Sequence, residues 1–281
     1  MNLGEALKQA ERTIGSVDAM ALMCHSLKKN RAFVLAHHDD PMDEPNFMGF
    51  ELMVSSRKLG TPIAYLTGKR EFYSREFNVT PNVLIPRPET ELLVDQALMR
   101  LAEASAPKPA RILDLGTGSG AIAITLALQS RVHVTATDHS EAALSAARGN
   151  AARLGASVDF IQSDWYAVLA GKKFDLIVAN PPYVAASDPH LSQGDLRFEP
   201  QMALTDTSSD GLSSIRAIVN GAPAHLNSGG WLLFEHGYDQ AEACRKLLLK
   251  RGFEGIVSVP DLAGIARVAG GIWQRNPKSP K

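Results

Sequence analysis

Cysteine is almost absent from this chain of 281 residues: Cys24 and Cys244 stand alone, far apart and without metal-type spacing. That count argues against a disulfide framework and against a zinc site, and points to two free thiols in a reducing compartment. No apolar stretch reaches the roughly 18 residues that a membrane span requires. The start, "MNLGEALKQAER", has none of the apolar core of a signal peptide. The expected location is the cytoplasm, with no membrane partner. Excess charge of either sign is missing as well: Lys plus Arg number 29 against 30 for Asp plus Glu, a net charge of -1. Nothing in the global balance draws the chain to a polyanion. The histidines, His37-His38 among them, have no metal-ligand spacing and read as surface residues, so no metal is expected. What is left is a chain 45% hydrophobic and 21% charged, long enough for one large domain and a small one.

Periodicity divides it near residue 75. Up to about Leu59, apolar residues recur at three and four (Leu3, Leu7 and Ala10; Met20, Leu22, Met23 and Leu27; Phe50, Met53 and Val54), which predicts a helical bundle over residues 1–75, with "DDPMDEPN" as a loop between two helices. In "EFNVTPNVLIP", residues 76–86, Phe77 and Val79 alternate, Thr80-Pro81-Asn82 supply a turn, and Val83 and Ile85 alternate back. This predicts a linking β-hairpin. Residues 87–281 read as the catalytic domain. "ETELLVDQALMRL" has helical spacing behind Pro88, "SAPKPA" reads as a surface loop and the end, "RNPKSPK", as a short basic tail. Between them run strands "RILDLG", "VHVTATD", "VDFIQSD", "FDLIVAN" and "GWLLFEH" and helices "GAIAITLALQ", "SEAALSAARGNAARLG" (Ser140 as N-cap, Gly155 as stop) and "QAEACRKLLLKRG". Short apolar strands alternating with helices predict a parallel sheet covered on both faces, an α/β fold.

Two motifs carry chemistry. "DLGTGSG" follows a strand and opens a helix, so Gly116, Gly118 and Gly120 allow a tight turn and close approach of a ligand. About twenty residues on, Asp138 ends the next strand, where a carboxylate can accept both ribose hydroxyls of an adenosine-type cofactor. The spacing G-x-G-x-G lacks the later glycine of the dinucleotide fingerprint, which favours a cofactor without a pyrophosphate; S-adenosylmethionine fits. The bland alternative is an ordinary strand-to-helix turn with Asp138 capping a helix.

The second motif, "IVANPPYVAA" at 177–186, ends a strand in a turn stripped of donors. Asn180 and Pro181 each precede a proline and are pushed toward extended conformations, so the turn is stiff. What it exposes is the Asn180 side-chain oxygen, backbone carbonyls and the flat face of Tyr183. Two acceptors and a ring suit a planar NH2 group. A lone Asn-Pro would read as a rigid polar turn, but this one stands at the carboxyl end of a central strand, where open sheets bind ligands.

"NPPY" beside a glycine-rich methyl-donor turn looks like the amino methyltransferases, a group that includes adenine-N6 enzymes and protein glutamine methyltransferases. The stretch "TPIAYLTGKREFYSREFNVTPNVLIPRPETE" at 61–91, with "QGDLRFEP" at 193–200, closely resembles the peptide-chain release-factor glutamine methyltransferases, the PrmC/HemK family, over nearly the whole chain. A sister family methylates a ribosomal-protein glutamine, and "PRPET" resembles the release-factor branch. The resemblance implies a Rossmann-like class I S-adenosylmethionine-dependent methyltransferase sheet, with S-adenosylhomocysteine as product. It implies methylation at N5 of the glutamine in the Gly-Gly-Gln loop of class I release factors; residues 1–75 either dock that protein or shield one face of the catalytic domain. By resemblance, Gly116, Thr117, Gly118, Ser119, Gly120, Asp138, Trp165 and Asn180 contact the cofactor, and Asn180, Pro181, Pro182 and Tyr183 the substrate, with Asn180, Pro181 and Tyr183 catalytic. Arg87, Glu89 and Thr90 either border the pocket or merely cap a helix; Asp195, Arg197 and Glu199 lie in a polar loop without an assigned role; Glu235-His236 read as structural. An adenine methyltransferase would have to hold phosphates, and residues 1–75, with ten Lys or Arg and nine Asp or Glu, favour a protein partner over nucleic acid.

Overall fold

A computed structural model describes residues 1–103, 110–130 and 132–274. The basic tail and, apart from Ala110, the loop expected at 105–110 lie outside them. The chain divides into two compact units, Met1–Lys69 with Ser192–Phe198, and Arg70–Leu191 with Glu199–Lys281.

The first unit is helical. α1 (Leu3–Ile14) begins at a capping box in which the Asn2 side chain accepts from the Glu5 N–H while Glu5 reaches back to the Asn2 N–H. α2 (Ser16–Leu27), α3 (Arg31–Ala36), α4 (Glu44–Lys58) and α5 (Ile63–Thr67) follow. Pro45, expected in the loop, belongs to the first turn of α4, where its missing N–H costs nothing. Leu3, Leu7, Leu22, Met23, Phe50 and Val54 make the core. The segment 192–198 is held in this unit by Arg57, which donates to Asp18 at 2.7 Å and to Asp195 at 2.8 Å, and by Arg197, which donates to the Leu59 carbonyl.

In the second unit the hairpin is displaced from its expected place. Its strands are β1 (Lys69–Phe72) and β2 (Arg75–Asn78), not 76–86. The turn falls on Tyr73 and Ser74, both left-handed at φ 51° and 57°, residue types that do not advertise such a turn. The Thr80 turn exists, with the Val83 N–H on the Thr80 carbonyl at 3.0 Å. The residues after it form no strand: Val83 and Ile85 are buried, but the Ile85 N–H is taken by the Glu199 carboxylate at 3.0 Å. Burial of an irregular segment imitated a strand's alternation.

A 3-10 turn (Pro88–Thr90) leads into α6 (Glu91–Glu103), then β3 (Arg111–Leu115), α7 (Ala121–Ser130), β4 (His133–Asp138), α8 (Glu141–Leu154), β5 (Val158–Gln162) and β6 (Phe174–Ala179). Ser140 caps α8 and Gly155 ends it in the left-handed conformation. Short strands β7 (Val184–Ala185) and β8 (Thr205–Asp206) pair with each other, with α9 (Gln201–Leu204) between them. α10 (Ser213–His225), β9 (Leu226–Glu235), α11 (Ala241–Arg251), β10 (Glu254–Pro260) and β11 (Ala266–Trp273) complete the unit. The main sheet has seven strands in the order β10-β11-β9-β6-β3-β4-β5. The five from β9 to β5 are parallel, as expected; β11 and β10 add an antiparallel edge, because a short return at 261–265 joins them where a parallel pair would need a crossover helix. Alternate residues feed opposite faces: Ile112, Leu176 and Val178 join the core under α6 and α7, while Leu113, Ile177 and Ala179 join that under α10 and α11. Among the described residues no helix is long and apolar enough to cross a membrane.

Candidate active site

From β3 the chain runs out through β4 to β5 and returns to β6 on the other flank of β3, so the crevice beyond the carboxyl ends of β3 and β6 is the point where strand order reverses and open sheets bind ligands. The glycine-rich turn follows β3, Asp138 closes β4 and Asn180 follows β6.

Gly116, Gly118 and Gly120 have φ of 73°, 56° and 82°, a region that disfavours side chains. The N–H groups of Gly116 and Thr117 both donate to the Thr137 carbonyl, at 2.8 and 2.9 Å. A Cβ on Gly118 would stand in open space, whereas one on Gly120 would lie 2.7 Å from Ile124 Cδ1 and 3.1 Å from Ala147 Cβ. Gly118 therefore lets a ligand approach the backbone, and Gly120 lets the turn pack on α8. Gly120→Ala is expected to destabilise the protein by roughly 1–3 kcal/mol through overpacking, with about 1–2 kcal/mol more for the left-handed backbone. A denaturant midpoint equal to wild type would contradict this.

Asp138 accepts the Gly118 N–H at 2.8 Å and the Ser140 N–H at 2.9 Å, one on each oxygen. It thus ties the glycine turn to the start of α8, and each oxygen keeps a lone pair for another donor. Burial pushes its carboxyl upward against those N–H bonds, which favour the charged form. The Asp114 carboxyl is pushed up to about 7, burial outweighing the Thr117 hydroxyl that donates to it at 2.6 Å. Ser119 is buried, and its carbonyl accepts from the side chain of Asn150, which also clasps the backbone N–H and carbonyl of Asn78. Asn150 holds the turn from behind; inside the helical run "GNAARLG" nothing set it apart. Trp165, at φ 44°, has its ring edge 3.7 Å from where a Gly116 Cβ would be, so it lies beside the cradle.

Across the crevice, the Asn180 Nδ2 donates to Thr90 Oγ1 at 3.1 Å, the Thr90 hydroxyl donates to Glu235 Oε2 at 2.7 Å, and the Tyr183 hydroxyl donates to Glu235 Oε1 at 3.0 Å. Pro181 is buried and Pro182 half-buried beside them. Burial raises Glu235, against the two hydroxyls that favour its carboxylate, and burial followed by the neighbouring Glu235 raises Tyr183. Of the three residues opening the domain's first helix, Thr90 faces this network, Glu89 is exposed, and Arg87 pairs with the fully buried Glu199 carboxylate. Glu199 thereby pins the segment before Thr90, while Asp195 and Arg197 go with the helical unit. Sequence reading took Glu235 for structural, because a strand-end acid in "GWLLFEH" looks the same whether or not it serves a site; a carboxylate closing the apolar run "WLLF" was the available signal.

From sequence, Tyr183→Phe is a mild change if only the ring face matters. The structure adds a cost, since the phenylalanine leaves one oxygen of a buried carboxylate without its donor, about 1–3 kcal/mol. Activity is expected to fall in the order wild type, Tyr183→Phe, Tyr183→Ala, with a lowered melting temperature already in the phenylalanine variant. The reverse order of the two variants would refute a stacking role for the ring.

A cradle open at Gly118, a strand-end carboxylate with lone pairs to spare and an indole alongside suit the ribose and base of an adenosine-type cofactor. Known proteins share this arrangement of the chain. Residues 90–195 match the family model "Methyltransferase small domain" and residues 3–68 the model "PrmC N-terminal domain". A methyltransferase of solved structure from Pyrococcus furiosus superposes with a TM-score of 0.53 at 17% identity, covering 80% of this chain and 98% of that one, a likeness of fold. A release factor glutamine methyltransferase of Bordetella pertussis is 50% identical over 93% of this chain and 96% of its own length. One from Xylella fastidiosa is 48% identical over 94% and 96%. At that identity, over nearly the full length of both partners and with both family models in place, the chain belongs to the release factor glutamine methyltransferase family.

Proposed function

We propose that this protein, acting in the cytoplasm, transfers a methyl group from S-adenosyl-L-methionine to N5 of the glutamine in the Gly-Gly-Gln loop of a class I peptide-chain release factor, with the N-terminal residues 1–75 docking that protein. The observation that carries the reading is the orientation of Asn180: its NH2 is turned to Thr90, which leaves its oxygen as the acceptor for a substrate NH2.

Gly116 to Gly118, Asp138 and Trp165 hold the cofactor. Bound there, S-adenosylmethionine supplies an electrophilic methyl on a sulfonium that leaves as a neutral thioether. An amide nitrogen is a poor nucleophile because its lone pair is delocalised into the carbonyl, so the chain's contribution is placement and charge. Asn180 Oδ1 and the Pro181 carbonyl accept the two N–H bonds of the glutamine side chain and hold the nitrogen in one orientation. Both are preorganised dipoles aimed at a nitrogen that becomes positive as it is alkylated and is neutral again once one of its two protons passes to water. The two prolines matter here, since neither adds a competing donor beside the incoming NH2, and the Tyr183 ring offers a flat face to the carboxamide plane.

The test is incubation with methyl-labelled donor and, in separate reactions, a release factor, its variant with the loop glutamine changed to alanine, and bare DNA. Label is expected on the release factor alone. Label retained by the alanine variant would move the target to another residue, and label on DNA would overturn the reading.

A further inference from the structure

We propose that Thr90 and Glu235 are positioning residues that fix which end of the Asn180 carboxamide faces the substrate. The inference rests on the methyl-transfer reading above and deepens it.

The oxygen and the NH2 of a carboxamide are close to the same size, so packing alone distinguishes them poorly. At this site the difference decides the chemistry, because the glutamine presents donors and a flipped Asn180 would set donor against donor. The buried neighbours remove the ambiguity one hydrogen at a time. Glu235, 2% exposed, accepts from both hydroxyls, and in its charged form it can only accept. Thr90, 4% exposed, has a single hydroxyl hydrogen, and at 2.7 Å that hydrogen goes to Glu235 Oε2. Toward Asn180, Thr90 is left with lone pairs only. Asn180 must then turn its NH2 to Thr90, at 3.1 Å, and its oxygen away. The other oxygen of the same acid accepts the Tyr183 hydroxyl at 3.0 Å. One buried acid therefore orients both residues that bracket Pro181-Pro182. Were Glu235 protonated, it could donate to Thr90, whose own hydrogen would then be free for the Asn180 oxygen, and the flipped amide would be as well satisfied as the native one. Charge on Glu235 is what gives the chain of bonds its direction. Burial, the largest influence, opposes that charge; the two hydroxyls and Arg267 favour it, and Glu89 opposes it.

The test uses Thr90→Val, which keeps the shape and removes the hydroxyl, and Thr90→Ser, which keeps the hydroxyl. The full-length protein is labelled with 15N-asparagine, and the Asn180 carboxamide resonances are followed without substrate, so this readout does not depend on activity. In Thr90→Val the Asn180 NH2 signal is expected to lose its hydrogen-bonded shift and exchange protection. The kcat for methylation is expected to fall about tenfold, the loss of roughly one buried hydrogen bond, while the affinity for S-adenosylhomocysteine stays within about twofold of wild type, as expected for a lost contact to Asn180 and not to the cofactor cradle. Thr90→Ser should restore both signal and kcat. In an Asn180→Ala background, Thr90→Val should cost nothing further, since its effect runs through Asn180. Glu235→Gln should move the same resonance and lower kcat. An unmoved Asn180 signal or wild-type kcat in Thr90→Val, failure of serine to rescue, or an additional loss in the Asn180→Ala background each overturns the role of Thr90. A lowered kcat in Glu235→Gln with an unmoved Asn180 signal would assign Glu235 to Tyr183 alone and overturn its part. If the wild-type protein labels no glutamine, the substrate reading fails while the resonance experiment still decides the orientation.

Discussion

Asn180→Ala is expected to cut turnover about a hundredfold or more. Removing one preorganised hydrogen-bonding group aimed at developing charge costs roughly 2.7–4 kcal/mol of barrier where such groups have been deleted, and in the proposed reaction Asn180 occupies such a position. Its backbone is confined by Pro181, its NH2 is tied to a buried hydroxyl at 3.1 Å, and the turn offers no side chain that could take its place. Alanine loses the acceptor and the hydrogen bond given to Thr90, whose own hydrogen stays on Glu235, so the fold should survive. The loss should therefore appear in kcat, with a melting temperature near wild type. Turnover equal to wild type would remove Asn180 from the mechanism, and a collapse of melting temperature would reassign its effect to structure.

The elements that could be read from sequence were those whose cause is local. Ser140 and Gly155 bound α8 as their side chain and backbone freedom dictate, and the apolar runs of β3, β4 and β6 follow from burial on both faces. The glycine turn and the Asn-Pro-Pro-Tyr corner were legible for the same reason, each needing its residue types at fixed spacing. Elements decided by distant partners were not. The hairpin at Lys69–Asn78 turns on Tyr73 and Ser74, which carry no turn signature, while Val83 and Ile85 mimic a strand because Glu199, 114 residues from Ile85, takes the Ile85 N–H. α10 carries Gly221 and Pro223 inside it, breakers that hide a helix held by the burial of Ile215, Ile218 and Val219 against the sheet. Thr90 and Glu235 are 145 residues apart, and they meet because α6, which follows Thr90, packs on β9. The turn and the corner were thus visible from their residue types, whereas the link between Thr90, at the opening of the first helix, and Glu235, read as structural, was visible only in three dimensions.

Asp138→Ala is expected to weaken cofactor binding by at least about a hundredfold, read as the dissociation constant for S-adenosylhomocysteine by calorimetry. In the proposed complex the carboxylate accepts both ribose hydroxyls, and hydrogen bonds to a charged group contribute roughly 1.5–3 kcal/mol each, so losing two exceeds a factor of about a hundred at 1.4 kcal/mol per decade. The same substitution frees the Gly118 N–H, held at 2.8 Å, and the Ser140 N–H, held at 2.9 Å, so the cradle itself loosens. Asp138→Asn separates the two effects. Its carboxamide has one oxygen to accept with, and because each carboxylate oxygen holds one backbone N–H, its NH2 displaces one of those contacts and the ribose contact that would share that atom, so part of the contacts is lost but not all. An affinity between wild type and alanine is the expected outcome. Equal affinity in all three proteins would mean that Asp138 only joins the glycine turn to α8, and the adenosine would then have to be held by the backbone of Gly116 to Gly118 and the Trp165 ring alone.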